Sequence, residues 1–430
     1  MTVGGEDRRR ISTIQLREMA APGAHLLALR HGASVLREGL FGRAEDGDVL
    51  ATGLAVDLTS RLSQLPNLSV TAWASSTHVA ALDLTPKEAA SRLGVRYLVQ
   101  GTAQCDGLRA RVTVALLDAT DGREEWSEHF DRALPDLFAL QDDITGAVIA
   151  AIEPAIERAE MQRALLTPPG SLNAWECFHR GLWHCFRFTD SDNEHAHQLF
   201  QRAIKIDPRF SRAYAGLSFT HYSRAFLDAA PVPGDDIRRA LDFARQSIDL
   251  DGRDVMGHWC LGRVLFRSRE HDQALGAVDR ALDINPNFAQ GHYVRGFIGA
   301  HAGLHAESLA SVDLAERLSP FDPLRFAMKA CHAVAITNQG APRDAVEWAI
   351  RATQEPNAHF HVLAVAAGCL ELAGRSDEAR PYVERVMAQH PGYSVEAFQR
   401  AFPNKDEPEP RADARGSGSL WYSSRLRAIG

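Results

Sequence analysis

A six-residue phrase that returns at a nearly fixed interval constrains this chain more than any other feature. Ala-Ile-Lys-Ile-Asp-Pro at 203–208 recurs as Ala-Leu-Asp-Ile-Asn-Pro at 281–286 and as Ala-Glu-Arg-Leu-Ser-Pro at 315–320. Weaker copies stand at 247–252, 352–357 and 386–391. The copies end at 208, 252, 286, 320, 357 and 391, so the spacings are 44, 34, 34, 37 and 34. Self-similarity at such a period means stacked units that each bury a face against the next, not one layered core. The two longer steps place insertions before 240 and 345. The first contains Pro231-Val-Pro-Gly234, which is loop chemistry.

Small residues and helix stops recur inside each period. The third unit has Gly262, Ala274, Ala281 and Pro286, the fourth Gly296, Gly303, Ala315 and Pro320, and the sixth Gly374, Ala379 and Pro391. Small residues let two helices approach, and proline ends the second because it cannot continue the ladder. With its 34-residue period, the stretch 171–395 resembles tetratricopeptide repeats, about six of them. Ser308 departs from the small Ala, and the fifth unit departs most, with Phe326, Lys329 and Ala330 at its landmarks.

The resemblance implies a superhelix of helix pairs whose first helices line a concave face. The helical stripe expected there carries Trp175, Phe178, Arg212, Phe219, Tyr222, Trp259, Arg263, Phe266, Tyr293 and Phe297. Repeat grooves of this family that hold a terminal carboxylate use Lys and Asn on the stripe, and this stripe has only Arg212 and Arg263. The expected ligand is therefore an apolar, Arg-edged peptide or helix. The alternative is that these aromatics pack between neighbouring repeats, as large apolar residues generally do.

Before the repeats the period changes. Residues 48–65 carry Leu50, Leu54, Val56, Leu58, Leu62 and Leu65 at helical spacing. Leu68–Trp73 is a β-branched and aromatic run, and Thr85 with Glu88 forms a capping box opening a short helix to Leu93. Strand-like stretches follow at 95–100, 110–117 and 124–130, separated by the turns Cys105-Asp-Gly107 and Asp121-Gly122. A long helical stretch runs from Asp136 to Leu166, and Pro168-Pro169-Gly170 punctuates the join. The expected fold class is thus α+β, a small α/β domain at 47–167 followed by an all-α repeat superhelix. Residues 1–46 are left unassigned, and 396–430, with Glu-Pro-Glu-Pro and Gly-Ser-Gly-Ser, is expected to be a disordered tail.

Gly-Val-Arg-Tyr-Leu-Val-Gln-Gly at 94–101, Ala-Thr-Asp-Gly at 119–122 with Trp126, and the run Asp136–Thr145 look like a recurring bacterial block. That block is similar to the amino-terminal domain of the Tol translocation protein. In the family it resembles, it sits between an output domain, either a class III adenylate cyclase or a winged-helix DNA-binding domain, and tetratricopeptide repeats. Arg180-Gly181 and Arg187-Phe188-Thr189 extend the resemblance, which covers about 50–395. The family's block opens with a buried strand and a Pro-Phe pair, and His25–Gly32 stands there with an altered sequence.

Functional classes are narrowed by what remains. The 47 Lys and Arg against 55 Asp and Glu, net charge −8, oppose a sequence-independent phosphate grip, so no direct nucleic-acid partner is expected. Six dispersed cysteines without a Cys-x-x-Cys pair fit a reducing cytosol, and neither a signal peptide nor a membrane span is expected. His301/His305 bracket Gly303, and His195/His197 and His359/His361 point to different sides of a helix at that spacing. No metal or other cofactor is expected. Phosphate-loop, nucleophile-elbow and zincin motifs are lacking, and the residues before 47 are too few for either output domain, so no enzyme activity is expected. The expected function is a cytoplasmic scaffold or sensor of bacterial signalling with a protein or peptide partner. An adenylate-cyclase-related regulator and the regulatory portion of a winged-helix transcription factor stay open beside it.

Overall fold

The computed structural model describes residues 12–13, 25–31, 44–65, 68–71, 84–105, 109–133, 137–227 and 233–405. The chain divides into two compact units, Met1–Gln162 and Arg163–Gly430.

In the first unit, helix α1 (Ala44–Leu62) buries Leu50, Leu54, Leu58 and Leu62, one residue per turn along a single stripe. The short strand β3 (Leu68–Val70) follows, and 72–83 lie outside the described residues. Helix α2 (Pro86–Leu93) starts as its capping box requires. The Glu88 amide donates to the Thr85 hydroxyl, the Glu88 carboxylate accepts from the Thr85 amide at 2.9 Å, and Gly94 ends the helix at φ +63°. Strands β4 (Tyr97–Cys105), β5 (Arg109–Asp118) and β6 (Arg123–Ala133) form an antiparallel meander. Along β5 the side chains of Ala110, Val112, Val114 and Leu116 enter the core. Arg109 and Arg111 stay exposed and pair with Asp131 on β6.

Strand β2 (His25–His31) corrects the assignment of residues 1–46, because it pairs in parallel with both β3 and β4. The two-residue β1 (Ser12–Thr13) joins it antiparallel. Its Leu-Leu-Ala-Leu centre is the near-continuous apolar run of a parallel strand. Its partners lie some forty and seventy residues further on, so no local hairpin signal announces it.

Helix α3 (Leu137–Leu166) packs the stripe Ile144, Val148, Ile152 and Ile156 against this core. The next position of that stripe is Glu160, fully buried. The Tyr97 hydroxyl donates to its carboxylate at 2.7 Å, and Arg96 Nε stands 3.3 Å away. Arg96 also donates to Asp118 at 2.6 Å, and Asp118 accepts from the Thr120 amide and hydroxyl. Glu160 and Asp118, the buried carboxylates among the described residues of this unit, are therefore each answered by an opposite charge and a hydrogen bond.

The second unit is a tetratricopeptide-like superhelix of helix pairs. Among the described residues the pairs are α4/α5 (Ala174–Cys185, Asp190–Ile206), α6/α7 (Ser211–Phe226, Pro233–Leu250) and α8/α9 (Val255–Arg267, His271–Ile284). They continue as α10/α11 (Ala289–His301, His305–Leu318), α12/α13 (Arg325–Asn338, Pro342–Gln354) and α14/α15 (Phe360–Leu372, Ser376–Gln389). The fifth pair is present despite its irregular landmarks. The expected loop at 231–234 is in part helical, since α7 begins at Pro233, where a missing N–H costs nothing.

Close approach explains the small residues. A Cβ on Gly262 would lie 2.4 Å from a Val278 methyl, and one on Gly296 2.4 Å from a Val312 methyl. Proline explains the stops: Asp207 and Asn285, each preceding a proline, leave the helical region at ψ 98° and 95°.

The expected tail from 396 is also corrected. Residues 395–401 form a short helix, α16 (Val395–Ala401), and Phe398 and Phe402 are buried. Val395, Phe398 and Phe402 sit at i, i+3 and i+7 and find an apolar surface, whereas the Pro- and Gly-rich composition begins only after this helix. Residues 406–430 lie outside the described residues. Among the described residues no helix is long and apolar enough to cross a membrane.

Candidate functional site

All ten residues of the expected groove stripe are buried, from fully enclosed Trp259, Phe266 and Phe178 to Phe297 at 8% exposure. Seven of them fasten the repeats. Trp175 packs on His179 and Phe210, and Phe178 on Phe200 and Phe210. Phe219 lies against Tyr222 and Trp259, whose Nε1–H donates to the Gln290 carbonyl at 3.1 Å. Phe266 meets Phe297 edge-on at 4.8 Å. Arg212 stands 3.8 Å from Asp254, the buried cap of α8.

The other three, Arg263, Tyr293 and Phe297, line a cavity of about 40 Å³ inside the repeats. Its further walls include His361, which the stripe carries in the sixth repeat, and Phe188, Phe226, Phe326, His359 and Phe402, which the stripe pattern did not identify. His359 and His361 were expected on different sides of a helix. His359 instead precedes α14 as its cap residue, so helical spacing does not apply and both imidazoles reach the cavity. Phe188 carries the one local signal that sequence cannot display, a φ of +53°. Bulky side chains rarely adopt that conformation, which here closes the turn between α4 and α5 as glycine does in later repeats.

Arg263 is only 5% exposed. Its guanidinium lies 4.6 Å from the ring of Tyr222, 5.0 Å from Trp259 and 5.4 Å from Phe219. Tyr293 supplies a hydroxyl beside it. Yet its Nε and Nη1 have no hydrogen-bond partner among the described residues. His359 Nδ1, on the same cavity, is likewise unpartnered. Burial, then His361, then Arg263 hold the His359 pKa well below its ordinary value, so the imidazole is neutral.

The remaining wall is the chain's own end. The His361 Nε2–H donates to the Phe226 carbonyl at 2.7 Å, joining the sixth repeat to the second, and Nδ1 accepts from the Tyr393 hydroxyl. Onward from Tyr393, Phe402 rests against Phe226, Phe297, His301 and His361. His271 Nε2–H donates to the Pro403 carbonyl at 2.8 Å, and His301 Nδ1–H to Asn404 at 2.9 Å. The Lys405 amide donates to the His301 carbonyl, and its ammonium pairs with Asp272 at 2.6 Å. Burial lowers the pKa of His301 to about 4 and that of His361 to about 3.

Residues 261–323 match the tetratricopeptide repeat family. The matched stretch runs from the end of α8 through α11 and contains Arg263, Tyr293 and Phe297. A relative from Rhizobium meliloti (strain 1021), "Putative adenylate cyclase 3", is 30% identical over 240 residues, 55% of this chain and 40% of that protein. The chain therefore spans about two-fifths of that relative's length. Among solved structures, a thermophilic TPR protein from Thermus thermophilus is 19% identical with a TM-score of 0.36, covering 46% of this chain and 99% of that one. Pseudomonas aeruginosa pilF is 15% identical with a TM-score of 0.35, covering 59% and 97%.

Among the described residues no cluster of His, Cys, Asp and Glu stands ready to hold a metal ion. The thiols of Cys177, Cys185, Cys260 and Cys331 are buried, and burial pushes their pKa values up, to about 12 for Cys331.

Proposed function

We propose that this chain is a cytoplasmic protein–protein interaction module of bacterial signalling, not an enzyme, and that the inner surface of its repeats accepts a peptide or short helix. One observation carries this reading. The segment Tyr393–Lys405 lies on that surface as a peptide ligand would, with Phe402 as the apolar anchor and main-chain groups at both Pro403 and Lys405 engaged. This follows the helix-in-groove mode of recognition, with a short irregular stretch after the helix. The ten stripe residues shape the surface from beneath, and Arg263, Tyr293 and Phe297 reach it. The α/β unit is proposed to be the Tol-like block of the family it resembles.

The test separates segment from surface. A synthetic peptide of residues 394–405 should bind saturably to a chain truncated after Tyr393. The Phe402→Ala peptide should bind at least about tenfold more weakly, since a buried aromatic anchor dominates such contacts. A folded truncated chain that ignores the peptide would overturn the reading.

A second reading rests on the similarity to a cyclase-named relative. On it, the chain is a regulatory part of adenylate-cyclase signalling and shifts the turnover of a class III catalytic domain supplied in trans. Unchanged turnover at saturating chain would remove it.

A further inference from the structure

We propose that the cavity at Arg263 is a binding site for a small monocarboxylate with an apolar body, one carboxylate oxygen seated on an unpaired N–H of the guanidinium and the body replacing the ring of Phe402.

The charge identifies the head of the ligand. A buried guanidinium stays ionised, and each of its N–H groups is a strong donor to a carboxylate oxygen. The faces of Tyr222, Trp259 and Phe219 meet its charge, but rings offer no lone pairs in the plane of the N–H groups. Two of its nitrogens, Nε and Nη1, are left with nothing among the described residues to donate to. Leaving buried donors unmade is costly, and native interiors rarely tolerate it without a reason. The neutral His359 adds a third unmade group, Nδ1, on the same cavity wall. In the tautomer that carries its proton there, it donates to the second carboxylate oxygen.

The walls identify the body. Beyond Arg263 and the imidazoles the lining is aromatic and aliphatic, with Phe188, Phe326, Val334 and Val362 among its members. The cavity of about 40 Å³ has room for two or three water-sized groups, which is the size of a carboxylate and no more. The tail of the acid therefore needs space that the Phe402 ring now fills. Phe402 is the wall assigned to yield, since a helix of only seven residues carries it, while Phe226 and Phe326 belong to the longer paired helices.

Calorimetric titration of the full chain with sodium hexanoate, and with hexan-1-ol as the uncharged match, tests the proposal. Hexanoate should bind saturably at one site, at least about tenfold tighter than the alcohol. Arg263→Met keeps an unbranched apolar stem without the charge and should abolish that preference. Equal binding of acid and alcohol would overturn the proposal by showing a merely apolar hole. Absence of hexanoate binding would overturn it too, leaving Arg263 as a cation held by rings alone. Should Arg263→Met fail to fold, Phe402→Ala keeps the arginine and enlarges the cavity. It should favour octanoate over hexanoate by about tenfold, the worth of two further buried methylenes. Equal affinity for both chain lengths in that variant would sink the placement of the tail.

Discussion

The α/β unit and the repeat unit bury charge in opposite ways. In the first, Glu160 interrupts an apolar helical stripe, but Tyr97 and Arg96 answer it, and Arg96 is shared with Asp118. In the second, Arg263 is as deeply enclosed and is met only by ring faces and a tyrosine hydroxyl among the described residues. The first arrangement is a lock that fixes α3 on its sheet. The second leaves bonding capacity unused, and unused capacity in a closed interior is where a ligand belongs.

The largest effect expected from this contrast follows from removing one charge in each unit. Glu160→Ala should destabilise the α/β unit by about 3–5 kcal/mol, because it takes the acceptor from the buried Tyr97 hydroxyl, leaves Arg96 with Asp118 alone and opens a cavity in the core. Arg263→Met should change the stability of the repeats by less than about 1 kcal/mol, since it strands no opposite charge. Urea unfolding followed by circular dichroism measures both. A large loss for Arg263→Met would mean that the rings alone make this cation structural and would collapse the contrast.

Acid should separate the units next. His301 and His361 are held neutral by burial, with pKa values lowered to about 4 and about 3. Their imidazoles take up protons more readily in the unfolded chain. Their stabilising contribution is therefore complete above the ordinary pKa near 6.5 and is lost as pH falls toward the folded values. Between pH 6.5 and 5 each should withdraw about 2 kcal/mol from the repeats. In the α/β unit burial raises the Asp118 pKa, but Thr120 and Arg96 outweigh it and hold the group below its ordinary value. That contribution is lost only below the usual carboxylate range. Thermal melts at pH 7 and pH 5 should show the repeats weakened while the α/β unit is unchanged. Parallel losses in both units would contradict this assignment.

The smallest effect concerns turns. Among the described residues of the α/β unit, backbone at positive φ is glycine, Gly94 and Gly122. The repeats use Gly303, Gly340 and Gly374 at their helix–helix turns, yet the third repeat places Arg269 there at φ +67°. Arg269→Gly should stabilise the repeats by up to about 1 kcal/mol, read as a rise in melting temperature. A fall would show that the Arg269 side chain does more than occupy a turn.

The repeat period, the prolines and the small residues of this chain determine the helix pairs, because close helix packing and helix ends depend on neighbours along the sequence. The capping box at Thr85 and the helical spacing of Leu50, Leu54, Leu58 and Leu62 are equally local and stand in the structure, whereas Val56, read into the same stripe, is exposed. Strand His25–His31 was legible only through the family resemblance, which puts an opening strand there, and not from local signals, since its pairing partners are distant. The docking of Phe402 was not legible, because composition near a chain end says nothing of the surface that awaits it. The stripe of ten residues was found by helical geometry, but burial separates seven packing residues from three at a cavity, and burial is a property of all repeats together. Closure of the superhelix decided the rest. It brings Phe188, Phe226, His359 and Phe402 from separate repeats around one buried arginine, and no spacing in a linear chain encodes that encounter.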